Sequence, residues 1–149
     1  MIKSFRCAVS GALSCVRTER NMRFHLAVAF YVILAGFVTR LSVPEWAAIL
    51  TCIALVLGAE LLNTAIERLC NVVHPGYSKG IGAAKDTAAG AVLVCAIVSA
   101  TIGSIVFFNT EKFSLTAKFV VEHPVLSVLI VLTVPLQAIF VFRRRNNDQ

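Results

Sequence analysis

Polar and apolar positions follow two different patterns along this chain. From residue 2 to 17, Ile2, Phe5, Val9, Ala12, Leu13 and Val16 recur at helical spacing, while Lys3, Arg6, Ser10 and Arg17 share the opposite side. A basic face backed by an apolar one suits a helix of about residues 2–18 lying in a membrane surface. Four long apolar runs follow, at about 24–43, 46–66, 87–108 and 125–142. A membrane crossing takes roughly 17–25 residues at about 1.5 Å each. The pattern predicts an all-α membrane protein: an N-terminal amphipathic surface helix, three core transmembrane helices and a fourth, C-terminal transmembrane helix. The first run reaches full length only if Arg40 snorkels to the surface. The fourth contains Pro135, which kinks a helix but is tolerated in membranes. Residues 1–108 read as the core unit, and 109–149 as a loop, the extra span and a basic tail.

Composition supports a membrane setting. Of 149 residues, 58% are hydrophobic and 15% charged, with a mean hydropathy of +0.81. Soluble domains carry about 45–50% apolar and about 25% charged residues. The net charge of +6 raises nucleic acid as a partner, but the cations flank the apolar runs, as they do around membrane spans. With the N-terminus inside, the cytoplasmic side holds Lys3, Arg6, Arg17, Arg20, Arg23, Arg68, Lys79, Lys85 and Arg143 to Arg145, eleven of the fourteen Lys and Arg. Only Arg40, Lys112 and Lys118 remain outside. The positive-inside rule therefore predicts an integral membrane protein with both termini cytoplasmic. The five cysteines show no C-x-x-C spacing and read as small apolar residues rather than a disulfide or metal framework. No apolar stretch followed by a cleavage site opens the chain, so no signal peptide is expected.

One stretch breaks the apolar pattern. Residues 58–69 read GAELLNTAIERL and place Glu60, Asn63 and Glu67 at i, i+3 and i+7, on one helix face. Trp46 marks the outer interface. Glu60 lies roughly 21 Å further along, in a hydrocarbon core of about 30 Å, and Glu67 falls near the inner boundary. Two other polar clusters reach the same depth. TERN (residues 18–21) supplies Glu19 before the first span, and AAKDTAAGAV (residues 83–92) supplies Lys85 and Asp86 as the third opens. A charged side chain in mid-membrane costs on the order of 2.5–3.5 kcal/mol on insertion scales and usually marks function.

Simpler readings exist for single residues. Glu67 can pair with Lys85 or Arg68 at the interface, and Asn63 can join two helices by hydrogen bonding. The whole set fits metal-assisted phosphoryl transfer better. Mg²⁺ takes one or two carboxylates plus substrate phosphates. Such a reaction also needs charge neutralisation at the phosphoryl group and a base for the attacking hydroxyl. The glycine-bearing stretch GYSKGIGAAKD (residues 76–86) matches neither common nucleotide-binding glycine motif. A kinase built here binds ATP by another arrangement.

Three strings, ELLNTAIE (60–67), AKD followed by AAGAV (84–92, with Thr87 between) and TERNMRFH (18–25), resemble the small integral-membrane prokaryotic diacylglycerol kinases, which include the undecaprenol kinases. The likeness covers about residues 3–108, and the spacing from E-x-x-N-T-A-I-E to AKD is highly specific. It implies ATP- and Mg²⁺-dependent phosphorylation of a lipid alcohol by a homotrimer whose active sites are shared between chains. It also implies roles: Glu60 as general base, Glu19 and Glu67 as metal ligands, Asn63 holding phosphates and metal, Lys85 contacting the γ-phosphate, and Asp86 supporting the site. Asn71 stands at a nucleotide-contact position where the family commonly has Asp. Cys7 replaces a frequent aromatic, Met22 replaces a common Phe, and the fourth span exceeds the usual three. AAGAV resembles the branch that uses undecaprenol, whereas the diacylglycerol branch more often shows GSAAV. The rival from another class is a non-enzymatic membrane subunit or ion-conducting oligomer lined by Glu60 and Glu67.

Overall fold

Hydrocarbon offers no hydrogen bonds, so a chain that crosses it must satisfy its backbone within each segment, and helices do this. The computed structural model describes residues 2–76 and 78–142. Six helices follow in order: α1 (Ile2–Thr18), α2 (Arg20–Val38), α3 (Val43–Val73), α4 (Lys79–Phe107), α5 (Thr110–Glu122) and α6 (Pro124–Phe142). No strand occurs among the described residues. Helices α2, α3, α4 and α6 are long and apolar enough to cross a membrane. The basic residues 143–145 of the expected tail lie outside the described residues.

The helix boundaries correct several expectations. The first span does not continue to residue 43: α2 ends at Val38, and Arg40 turns the chain with φ 52°. The reversal is set by side chains. Ser42 donates from both its amide and its hydroxyl to Glu45 Oε2 (2.7 and 2.8 Å), which starts α3. The Trp46 ring lies across Gly36 and packs at 5.0 Å from the Phe37 ring. At its other end α3 runs to Val73, carrying Asn71 past the apolar stretch. Helix α4 begins at Lys79, ahead of the expected start of the third span near residue 87, so Lys85 and Asp86 lie within the helix.

Residues 110–122 were expected as loop and form α5. Asn109 starts it by accepting from the Lys112 amide at 2.9 Å. Lys112 is buried, and its Nζ donates to Glu45 Oε2 at 3.1 Å and to the Thr39 carbonyl at 3.4 Å. That contact holds α5 over the α2–α3 turn. Pro135 sits within α6 without ending it.

The centre of the bundle is built from small and mid-sized residues: Ile49, Cys52 and Val56 of α3, Ala27 and Ala29 of α2, and Ala88 and Val92 of α4. Helix α3 packs most extensively on α4, and α6 lies against α2, where Tyr31 and Thr133 share a hydrogen bond of 3.0 Å. Larger groups such as Leu93, Val94, Ile97, Val131 and Leu136 point outward, as suits helices surrounded by lipid. All five cysteines are free.

The α2–α3 turn gives a direct test. A Cβ on Gly36 would stand 2.7 Å from Trp46 Cη2 and 3.1 Å from Leu41 Cδ1. Overpacking of this kind costs about 1–3 kcal/mol, against about 1 kcal/mol gained from alanine's better helix propensity. Gly36→Ala is expected to lower the thermal midpoint in detergent, and an unchanged or higher midpoint would show that the indole has room to move.

Candidate active site

Helix α3 is apolar for most of its length and then turns polar on one side. Glu60 is only 2% exposed, and Asn63 and Thr64, one turn on, are also buried. Helical spacing places Glu67 one turn beyond Asn63, and Asn63 Nδ2 donates to Glu67 Oε1 at 3.1 Å. The Asn63 amide is thereby oriented, and its Oδ1 is buried with no hydrogen-bond partner among the described residues. A buried acceptor left unsatisfied costs about 1–3 kcal/mol, so its retention points to a ligand that uses it.

Helix α1 brings the next carboxylate to this face. It docks by its C-terminal end, where the Cys15 thiol lies buried against Thr64, Sγ to Oγ1 at 3.2 Å. Glu19 follows as the extended residue that separates α1 from α2 (φ −96°, ψ 121°). The Thr18 hydroxyl donates to Glu19 Oε1 at 2.8 Å, and Arg68 Nη2 in turn donates to Thr18 Oγ1 at 2.8 Å. Thr18 also stands 3.2 Å from the Ser14 carbonyl. The single hydroxyl proton favours the carboxylate, the shorter and charged acceptor. Glu60 lies within electrostatic reach of both Glu19 and Glu67.

Lys85 and Asn71 form a separate pair, Nζ to Oδ1 at 2.7 Å, and Asp86 is exposed on α4. The expected set thus divides. Asn63 and Glu67 are hydrogen-bonded and Glu60 shares their helix face, with Glu19 within its electrostatic reach, whereas Lys85 is paired with Asn71 and neither Lys85 nor Asp86 forms an ion pair with Glu60 or Glu67. The simple alternative of Glu67 paired to Lys85 or Arg68 is not present: the one salt bridge among the described residues joins Lys112 to Glu45. Thr18, Arg68, Cys15 and Thr64 were not singled out from the sequence as supports of the site. Thr18 was visible only as a neighbour of Glu19, and Arg68 only as a neighbour of Glu67.

The donors are all oxygen, carboxylate and amide, which suits a hard cation such as Mg²⁺. Among the described residues no three of His, Cys, Asp and Glu come close enough to enclose a metal by themselves. The free oxygen of Asn63 supplies the fit.

Burial pushes the Cys15 thiol above its ordinary range; the Thr64 hydrogen bond opposes this, and the charges of Glu19 and Glu60 reinforce it. A thiol reacts as its thiolate, so Cys15 is expected to resist maleimide at pH 8 while exposed Cys7 is modified. Peptide mapping by mass spectrometry checks this. Equal labelling of the two would contradict the docking of α1 on α3.

Comparison with known proteins extends these observations. Residues 6–107 match the family described as prokaryotic diacylglycerol kinase. The chain is 44% identical over 105 residues to the undecaprenol kinase of Bacillus subtilis (strain 168), a match that covers 70% of this chain and 85% of that protein. It is 36% identical over 104 residues to a diacylglycerol kinase of Synechocystis, covering 69% of this chain and 59% of that protein. No solved structure matches the chain.

Proposed function

The chain belongs to the prokaryotic diacylglycerol kinase family, a membrane lipid kinase, and from that premise we propose that it transfers the γ-phosphoryl group of ATP, with Mg²⁺, to undecaprenol. The observation that carries the proposal is the buried Asn63 oxygen with no partner among the described residues, on the helix face that also bears Glu60 and Glu67, with Glu19 within electrostatic reach of Glu60. Undecaprenol is favoured over diacylglycerol by the AAGAV string after AKD. The 44% identity to an undecaprenol kinase, against 36% to a diacylglycerol kinase, supports the same choice.

Glu60 is the general base. The lipid hydroxyl gives its proton to the Glu60 carboxylate as its oxygen forms a bond to the γ-phosphorus. The bond from that phosphorus to the bridging oxygen breaks in line, and ADP leaves with the electron pair. Glu19, Glu67 and the Asn63 oxygen are the groups that would hold Mg²⁺, which when bound neutralises charge on the phosphoryl oxygens. Lys85 reaches the γ-phosphate, Asp86 supports it, and Asn71 holds Lys85 on the nucleotide side.

The site faces the cytoplasm, where ATP is found, with both termini on that side and the basic face of α1 on the membrane surface. The working form is a homotrimer. In one chain Lys85 is engaged by Asn71 and Asp86 is exposed, which fits a site completed by a neighbouring chain.

Turnover in detergent with ATP, Mg²⁺ and each lipid alcohol tests the reading. Undecaprenol is expected to be the faster acceptor; a rate on diacylglycerol as high would overturn the substrate choice, and no phosphorylation of either would overturn the kinase reading. Glu60→Gln removes the base while preserving shape. It is expected to lower kcat by about 10²–10⁴-fold with assembly unchanged, and full activity in that variant would remove Glu60 from its role.

A further inference from the structure

Helices α5 and α6 lie beyond the residues that match the family, yet α6 is tied to the reactive end of the bundle through one side chain. Arg23 is one turn into α2. Its Nη1 donates to the carbonyls of Val16 (3.3 Å) and Arg17 (3.2 Å) in the last turn of α1. Its Nε and Nη2 both donate to the Val141 carbonyl of α6, each at 3.3 Å. Carbonyls in the last turn of a helix have no partner further along it, and the helix end carries roughly half a negative charge. The last turn of α1 is such an end, and a planar guanidinium with diverging donors can serve it while also reaching the Val141 carbonyl of α6.

Other contacts mark the same junction. The Arg20 guanidinium lies 5.9 Å from the centroid of the Phe142 ring, and Tyr31 bonds Thr133 further along the α2–α6 seam. The bridge brackets Glu19. Arg23 donates its own amide to the Glu19 carbonyl at 3.4 Å, while its side chain holds carbonyls two and three residues before Glu19. A shift of residues 16–19 therefore strains the Arg23 contacts, and through them the Val141 end of the α2–α6 seam.

We propose that Arg23 is a positioning residue through which α6 sets the place of the Glu19 carboxylate, making the fourth span a working part of the phosphoryl-transfer site. This rests on Glu19 acting as a metal ligand. Full-length protein in lipid nanodiscs gives two readouts besides turnover: Mn²⁺ binding followed by electron paramagnetic resonance, and amide exchange over residues 16–21 and 136–142. Arg23→Gln is expected to weaken Mn²⁺ binding by about 10–100-fold, the range for residues that orient metal ligands, and to speed exchange in both segments together. It should also raise the KM for metal–nucleotide more than it lowers kcat. Arg23→Lys keeps the charge but lacks the diverging donors that reach both α1 and α6, so it should fall between.

The control is Glu19→Gln, which should weaken Mn²⁺ binding and leave exchange over 136–142 unchanged. If Glu19→Gln weakens binding while Arg23→Gln does not, or if only one segment loosens, the bridge is overturned. If Glu19→Gln leaves binding unchanged, the ligand role of Glu19 fails, and loss of coupled exchange remains the separate measure of the bridge. Should Arg23→Gln fail to fold, wild-type behaviour of Arg23→Lys in both readouts would overturn the proposal.

Discussion

A carboxyl group buried in an otherwise apolar membrane helix is the condition from which the polar end of this bundle follows. Glu60 is 2% exposed, and charge at such a depth costs on the order of 2.5–3.5 kcal/mol. Its surroundings are therefore polar on one side only. Asn63, Thr64 and Glu67 extend that side along α3, and a second helix must end there to supply more. Asn63 is turned by Glu67 so that its carbonyl oxygen is left over. A bundle of this size keeps such a loss where a ligand recovers it.

Glu19 reaches the same place because the chain breaks between α1 and α2, and the break is held from both sides. Arg68 reaches from α3 to Thr18, which reaches Glu19, while Cys15 seats the preceding turn on Thr64. From the opposite direction Arg23 joins two carbonyls of the last turn of α1 to the Val141 carbonyl of α6. A carboxylate on a short extended link would otherwise sample many positions. Fixing it in advance lowers the ordering cost of binding a charged ligand.

The rest of the bundle serves this end by its length and by its small residues. Ala88 and Val92 on α4 let it lie close along α3, and the large apolar groups face outward. Helices α5 and α6 add a second support for α2, pinned at one end by buried Lys112 and at the other by Arg23. Both lie outside the part of the chain shared with the family, so this support is a property of this chain's own extension.

Much of this was legible beforehand. Four apolar runs, an amphipathic start and the i, i+3, i+7 spacing of Glu60, Asn63 and Glu67 are local regularities, and membrane helices have little freedom to contradict them. The helix ends were less legible. The expected extension of the first span to residue 43 yielded to the fit of Trp46 on Gly36 and the Ser42–Glu45 bonds, and α5 hid in a stretch of mixed polarity. Least legible were Arg23, Thr18 and Arg68, which looked like flanking cations and a neighbouring hydroxyl. The sequence by itself determined which residues share a helix face, because helical periodicity depends only on spacing. The tertiary structure decided which faces meet and which of the polar groups hold one another, because distances across helices depend on how the whole bundle packs.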